Sequence, residues 1–117
     1  MSKKILIVDD DPNIISYLTD FFSDNGYETC SAADGTEALT VAQAEKPDLI
    51  TLDLEMPEEW GPRFFRKLSQ DTELKNTPVI VISGLTGNQY AIQKAVASIS
   101  KPFEREELLQ IVKDTIG

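Results

Sequence analysis

Short apolar runs alternate with longer amphipathic stretches along this chain. The run Lys4 to Val8, apolar after its first residue, is typical of a strand buried on both faces. Asp11 and Pro12 follow, which suits an acidic N-cap and the first position of a helix. Apolar residues then recur at helical spacing until Gly26, where the helix is expected to end. The first unit is therefore predicted to be a strand, a turn and a helix.

The same unit recurs through the rest of the chain. Further strands are predicted at 27–32, 48–52, 79–82 and 98–100, and further helices at 36–45, from Gly61-Pro62 onward, at 88–97 and at 104–116. Strands that alternate with helices imply a parallel sheet covered on both faces. We therefore predict an α/β fold with a five-stranded, doubly wound parallel sheet, a single domain over residues 1–117, and a core that includes Phe21, Phe22, Phe64 and Phe65.

Composition and charge restrict the partners. The 117 residues include 11 Lys and Arg against 20 Asp and Glu, a net charge of −9, and 41% are hydrophobic, which supports one packed core. This charge repels phosphate backbones and anionic lipid, and no basic face is visible in the sequence, so we expect no direct nucleic-acid partner and no membrane partner. The longest apolar runs are far shorter than the roughly 20 residues that span a bilayer. The apolar stretch of a secretory signal is also missing, so a cytoplasmic location is expected.

Missing residue types narrow the chemistry further. The chain has no His and one Cys, Cys30. Ser-His and Cys-His catalytic pairs, His-ligated zinc and an internal disulfide are therefore excluded. Cys30 itself is interpreted as a small strand residue. Any chemistry must use carboxylates, hydroxyls and amines.

Polar residues follow four of the predicted strands. Asp9 and Asp10 follow the first, Asp53 the third, Ser83 the fourth and Lys101 the fifth. Ligands of such sheets bind beyond the carboxyl ends of the strands, where the strand order reverses. Three converging carboxylates repel one another unless a hard divalent cation such as Mg²⁺ lies between them. With a lysine and a hydroxyl for phosphoryl oxygens, the set predicts Mg²⁺-dependent acyl-phosphate chemistry on an aspartate.

Taken singly, each of these residues also fits an ordinary turn, cap or surface position. Asp11 is interpreted as a helix cap and not as a ligand. The functional interpretation depends on the whole set occurring in order.

Four segments together carry a resemblance to a known family. They are Ile5 to Pro12, Pro47 to Pro57 with Gly61, Pro78 to Gly84, and Lys101 to Phe103. The chain resembles, over nearly its whole length, the response-regulator receiver domain of two-component signalling, which has the CheY-like fold. The resemblance implies a phosphoacceptor signalling domain that catalyses only its own phosphorylation and dephosphorylation.

The resemblance also implies a role for each site residue. Asp53 would accept the phosphoryl group from a histidine kinase or phosphotransfer protein and would also bind Mg²⁺. Asp10 would bind Mg²⁺ directly, Asp9 mostly through water, and Glu55 through its backbone carbonyl. Ser83 and Lys101 would bind the phosphoryl oxygens, and the acyl phosphate would switch a surface that a downstream effector reads.

The chain departs from the family pattern in several places. Ser98 stands where receivers usually carry an aromatic residue, and the stretch from Ser83 to Lys101 is shorter than the family norm. Trp60 replaces a common Asp and is interpreted as part of a variable loop. Two hypotheses are open for the Glu55 carboxylate: it could pair with Lys101 before phosphorylation, or it could repel an incoming phosphodonor.

Other functions stay open at this point. A pseudo-receiver would bind a partner without phosphorylation. A phosphatase resembling the haloacid-dehalogenase group requires Asp two residues after the nucleophile, where this chain has Glu55. A flavodoxin-like electron carrier requires a hydroxyl-rich or Gly-rich loop where this chain has acidic residues 9–11. No DNA-binding segment follows Gly117, so both a stand-alone regulator and a domain of a longer chain are compatible with the sequence.

Overall fold

A computed structural model describes residues 3–53, 60–83, 97–100 and 104–117. The strands are β1 (Lys4–Val8), β2 (Glu28–Ala32), β3 (Leu49–Leu52), β4 (Val79–Ser83) and β5 (Ala97–Ser100), and the helices are α1 (Pro12–Asp24), α2 (Gly35–Glu45), α3 (Trp60–Gln70) and α4 (Arg105–Ile116). The predicted alternation of strands and helices is confirmed for these elements. Residues 88–96 of the helix predicted at 88–97 lie outside the described residues. None of the described helices is long and apolar enough to cross a membrane.

The five strands form one parallel sheet in the order β2-β1-β3-β4-β5. The predicted five-stranded parallel sheet is therefore confirmed. The chain moves outward from β1 in one direction to β2 and in the other to β3, so the strand order reverses between β1 and β3. Parallel sheets bind their ligands in the crevice at such a reversal, beyond the carboxyl ends of the strands.

Helices cover both faces of the sheet, as predicted. Strand side chains alternate between two buried clusters because successive residues of a strand point to opposite faces. One cluster includes Ala38 and Ala42 of α2 with Phe64 and Leu68 of α3. The other includes Leu18 and Phe22 of α1 with Leu108 and Val112 of α4, and half-buried Phe21 packs against it. The Phe65 side chain lies outside the described residues.

Two assignments made from the sequence are wrong at element boundaries. Ala97, predicted as the last residue of a helix, begins β5, where it pairs with Ile80 of β4. Trp60, predicted as a loop residue, is the first residue of α3. A helix tolerates proline in its first turn, so Pro62 is compatible with a start at Trp60.

Helix α3 carries three cations and no acidic residue. Arg63, Arg66 and Lys67 are all exposed on α3. Their spacing of three and four residues brings them to neighbouring positions on the helix surface.

Candidate functional site

Three acidic side chains converge at the reversal point of the sheet. Asp9 and Asp10 directly follow β1, and Asp53 directly follows β3. One carboxylate oxygen from each lies within 4.8 Å of the others. Among the described residues, the structure thus brings together the three aspartates that the sequence nominated as side-chain metal ligands.

Backbone hydrogen bonds position the two inner aspartates. The Asp53 N–H donates to the Val8 carbonyl at 3.0 Å, which ties the end of β3 to the end of β1. The Asp9 N–H donates to the Ala32 carbonyl at 3.2 Å, which ties the end of β1 to β2. Asp9 and Asp53 are 3% and 2% exposed, whereas Asp10 is exposed. The site therefore has two buried carboxylates and one at its mouth.

The Asp9 side chain is held by the start of the next helix. Its Oδ1 accepts a hydrogen bond from the Asp11 N–H at 2.9 Å, an Asx-turn contact between residues i and i+2. The sequence reasoning missed this contact, although an aspartate two residues before a helix cap is a signal that could have indicated it. The contact fixes the orientation of one of the nominated metal ligands.

Asp11 does not belong to the cluster. Its Oδ1 accepts a hydrogen bond from the Asn13 N–H at 2.9 Å, as expected of the N-cap residue of α1. The interpretation of Asp11 as a cap is confirmed.

The electrostatics of the cluster favour a divalent cation. Two unit negative charges 4.8 Å apart repel each other by roughly 3 kcal/mol at an effective dielectric constant of about 20. Burial of Asp9 and Asp53 adds a desolvation cost for their charged forms. A donor set made only of carboxylate oxygens suits a hard ion such as Mg²⁺ or Ca²⁺. The three aspartates therefore fit the Mg²⁺ that the sequence predicted.

The remaining predicted site residues are placed in part or not at all. Ser83 is the last residue of β4, at the same sheet edge as the aspartates, and it pairs with Ser100 of β5. Its side chain lies outside the described residues, as do Glu55 and Lys101. The roles of Ser83, Glu55 and Lys101 thus stay predictions.

Ser98 occupies a defined register position in β5, where it pairs with Val81. Val81 belongs to the buried cluster beneath α2 and α3. The strand that carries this departure from the family pattern is thus an integral part of the sheet.

Comparisons with known proteins agree on one family. A sequence model of the response regulator receiver domain matches residues 5–113. Protein Rrf1 of Nitratidesulfovibrio vulgaris is 36% identical over 112 residues, which cover 96% of this chain and 81% of that protein. The structure of the chemotaxis protein CheY4 of Vibrio cholerae superposes with a TM-score of 0.92 at 31% identity, covering 99% of this chain and 100% of CheY4.

A further solved structure bears on the metal. The receiver domain of the sensor histidine kinase PA1611 of Pseudomonas aeruginosa has a magnesium ion coordinated in its active-site cleft. It has a TM-score of 0.90 at 26% identity, covering 100% of this chain and 99% of that one. The family match spans nearly the whole sheet and its helices, and the acidic cluster lies where that fold binds its ligands. The chain belongs to the response-regulator receiver domain family.

Proposed function

We propose that this receiver domain accepts a phosphoryl group on Asp53 in a Mg²⁺-dependent reaction with a phosphohistidine donor. The convergence of the Asp9, Asp10 and Asp53 carboxylates within 4.8 Å carries the proposal. Such a cluster is unfavourable without a cation and suits phosphoryl transfer with one. The magnesium ion in the cleft of the PA1611 receiver domain supports the choice of metal.

The chain's own residues have distinct parts in this reaction. A carboxylate oxygen of Asp53 forms a bond to phosphorus while the P–N bond of the donor phosphohistidine breaks, and the bond's electron pair leaves with the imidazole, which takes up a proton. Asp9 and Asp10 would hold the metal beside Asp53, with the backbone carbonyl of Glu55 as a further ligand. Mg²⁺, when bound, neutralises charge on the carboxylates and the phosphoryl oxygens.

Ser83 and Lys101 would bind the oxygens of the transferred group. A hydroxyl donates one hydrogen bond, and an ammonium supplies a positive charge with three donors. Because phosphoryl transfer depends chiefly on positioning and charge neutralisation, these contacts complete the site.

We further infer that residues 1–117 form one receiver domain that acts as a signalling module. Its donor is a histidine kinase or a phosphotransfer protein, and its phosphorylated form is read by a downstream effector protein. The acyl phosphate adds charge at the reversal point of the sheet, and this biases a two-state interaction surface.

Intact-mass measurement tests the proposal directly. With Mg²⁺ and acetyl phosphate, the wild-type chain should gain the mass of one phosphoryl group, and EDTA should abolish the gain. Asp53→Asn should gain none, because an amide cannot form the anhydride. Asp20→Asn, a matched change at an exposed position of α1, should behave as wild type. Equal phosphorylation of Asp53→Asn would contradict the assignment, and an unmodified wild type would favour a pseudo-receiver.

A further inference from the structure

Strand β2 lies at one edge of the sheet and pairs only with β1. The Glu28 N–H donates to the Lys3 carbonyl at 2.8 Å, so Glu28 directs its backbone groups towards β1. In a parallel pair every second residue directs its N–H and C=O groups to the same neighbour, so Thr29 and Ser31 direct theirs away from the sheet. We call these outward backbone groups of Thr29 and Ser31 the β2 edge.

The β2 edge is open to an additional strand. Ser31 is exposed and Thr29 is half-buried. Among the described residues, no turn, loop or side-chain group forms a hydrogen bond with the backbone of either residue. Natural edge strands are often protected by lysine, proline or a bulge, yet β2 contains neither residue and pairs with β1 one to one over Glu28–Ala32. The edge therefore offers two N–H donors and two C=O acceptors.

Acidic side chains border the β2 edge on the side of α2. Exposed Glu28 points to the same face as Cys30, which packs against the buried cluster that contains α2. Glu37, also exposed, lies in the first turn of α2. The Gln43 amide donates to Asp71 after α3 at 3.3 Å, and Glu37 lies about 120° around the helix from Gln43, on the flank away from α3. Since α2 packs on β2 and β1, that flank faces the sheet edge.

Neither Glu28 nor Glu37 forms an ion pair with a described residue. The Lys4 ammonium pairs with Glu45 at 2.9 Å, and this bond, more than the charge of Glu28, raises the pKa of Lys4. The net charge of −9 adds a wider field of the same sign. A ligand at the β2 edge is therefore favoured when it carries positive charge.

We infer that the β2 edge binds an extended basic segment of a partner protein as an added strand. Backbone hydrogen bonds to Thr29 and Ser31 would supply affinity for any extended chain, and charge would select among sequences. This inference goes beyond the proposed function and does not depend on phosphorylation of Asp53.

The register of an antiparallel added strand defines the segment. Its residues opposite Glu28, Cys30 and Ala32 share the face of α2. Basic residues are expected opposite Glu28 and, near Glu37, opposite Ala32, with an apolar residue opposite half-buried Cys30. The two residues between them exchange backbone hydrogen bonds with the β2 edge. A segment of the pattern Arg-Thr-Val-Thr-Arg meets these conditions.

A second copy of this chain fits the edge less well. Antiparallel pairing of two β2 strands about Cys30 would place Glu28 of each copy opposite Ala32 of the other, towards Glu37. Like charges would then meet twice, and each copy carries a net charge of −9.

Amide hydrogen exchange in the presence of a peptide tests the inference. The probe is a fluorescein-labelled peptide that contains Arg-Thr-Val-Thr-Arg, added to the full chain at low salt. Bound peptide should slow the exchange of the Thr29 and Ser31 N–H groups, measured by NMR, because these donors gain acceptors. The same peptide N-methylated at both threonines lacks the N–H groups that face β2, and it should bind at least about tenfold more weakly.

Charge variants separate the edge from net charge. Glu28→Gln/Glu37→Gln should bind the peptide about fivefold more weakly, the loss that corresponds to two exposed ion pairs. Glu106→Gln/Glu107→Gln removes the same charge from exposed positions of α4 and should bind as wild type does. Equal weakening in the α4 variant, unchanged amide exchange along the β2 edge, or equal binding of the N-methylated peptide would each overturn the inference. Slow exchange of the same amides in the peptide-free chain at high concentration would also overturn it and would indicate a second copy.

Discussion

Three consecutive aspartates occupy three different environments, although the sequence presents them as one acidic run. Asp9 is buried at the end of β1, Asp10 is exposed at the mouth of the cluster, and Asp11 caps α1. The cap could be predicted because Pro12 follows it. The burial of Asp9 could not, because it depends on the neighbouring strands β2 and β3, which are distant in sequence.

Substitution of Asp11 separates capping from metal binding. Asp11→Ala removes the acceptor for the Asn13 N–H and should lower the free energy of unfolding by about 1 kcal/mol. Asp11→Asn keeps an acceptor and should unfold as the wild type does. Urea denaturation measures both, and Mg²⁺ titration should give the wild-type affinity for each. Weaker Mg²⁺ binding by Asp11→Asn would instead make Asp11 a ligand.

Cys30 illustrates a residue whose environment suppresses reactivity. It lies half-buried in β2, with its Sγ 3.9 Å from the Ile5 carbonyl. Burial, together with the negative charge of Glu45, raises the pKa of the Cys30 thiol to about 11. The thiol is therefore protonated at neutral pH, where only the thiolate is a strong nucleophile or metal ligand. The interpretation of Cys30 as an ordinary strand residue is confirmed.

At the scale of elements, the end of α1 shows how one glycine fixes a helix boundary. The Tyr27 N–H donates to the Phe22 carbonyl and the Gly26 N–H to the Ser23 carbonyl, the two bonds of a Schellman motif. The Phe22 and Tyr27 rings pack edge to face at 6.3 Å across it. Because the Tyr27 N–H is used here, β2 begins one residue later than the sequence predicted.

Gly26 has a φ of +90°, a backbone conformation that residues with a side chain rarely adopt. The free-energy cost of replacing it should therefore come from the backbone conformation and not from a steric clash. A Cβ at this position would meet nothing within 4 Å. We therefore expect Gly26→Ala to lower the free energy of unfolding by about 1–2 kcal/mol, measured by urea denaturation. Gly26→Asn should cost less, since asparagine tolerates a positive φ better. Equal stability of Gly26→Ala and wild type would show that the end of α1 rearranges.

Element boundaries that depend on strand pairing were the least predictable from sequence. Alanine favours helices, and the sequence predicts Ala97 as the last residue of one, yet its pairing with Ile80 places it in β5. β4 extends to Ser83, one residue beyond its apolar run, because Ser83 pairs with Ser100. Local propensity is overridden in both cases by pairing with a strand that is distant in sequence.

For the whole molecule, the sequence predicts where the site lies better than what surrounds it. Alternating strands and helices place every strand's carboxyl end at one edge, so Asp10 and Asp53 had to share that edge. Their separation is set by the adjacency of β1 and β3, which is a property of the sheet order.

The acidic cluster should also limit the stability of the entire fold. Asp53→Asn removes the repulsion between the two buried carboxylates, Asp9 and Asp53, without changing the side-chain size, so the metal-free variant should be roughly 3 kcal/mol more stable than wild type. In the proposed function Mg²⁺ binds at the folded site, so at a hundredfold excess over its dissociation constant it should stabilise wild type by about 2.7 kcal/mol. Thermal unfolding with and without Mg²⁺ measures both effects.

The Asp53→Asn change should raise the stability of the metal-free protein and lower the stabilisation that Mg²⁺ provides. With Asp53 as the proposed ligand, its replacement should weaken Mg²⁺ binding, so the variant should start with the higher Tm and gain less from the ion than wild type does. Asp20→Asn, which changes one exposed acid on α1, should match wild type in both conditions. If Mg²⁺ raised the Tm of Asp53→Asn as much as that of wild type, Asp53 would not be a ligand. If the metal-free variant were instead less stable, hydrogen bonding of the Asp53 carboxylate would outweigh the repulsion within the cluster.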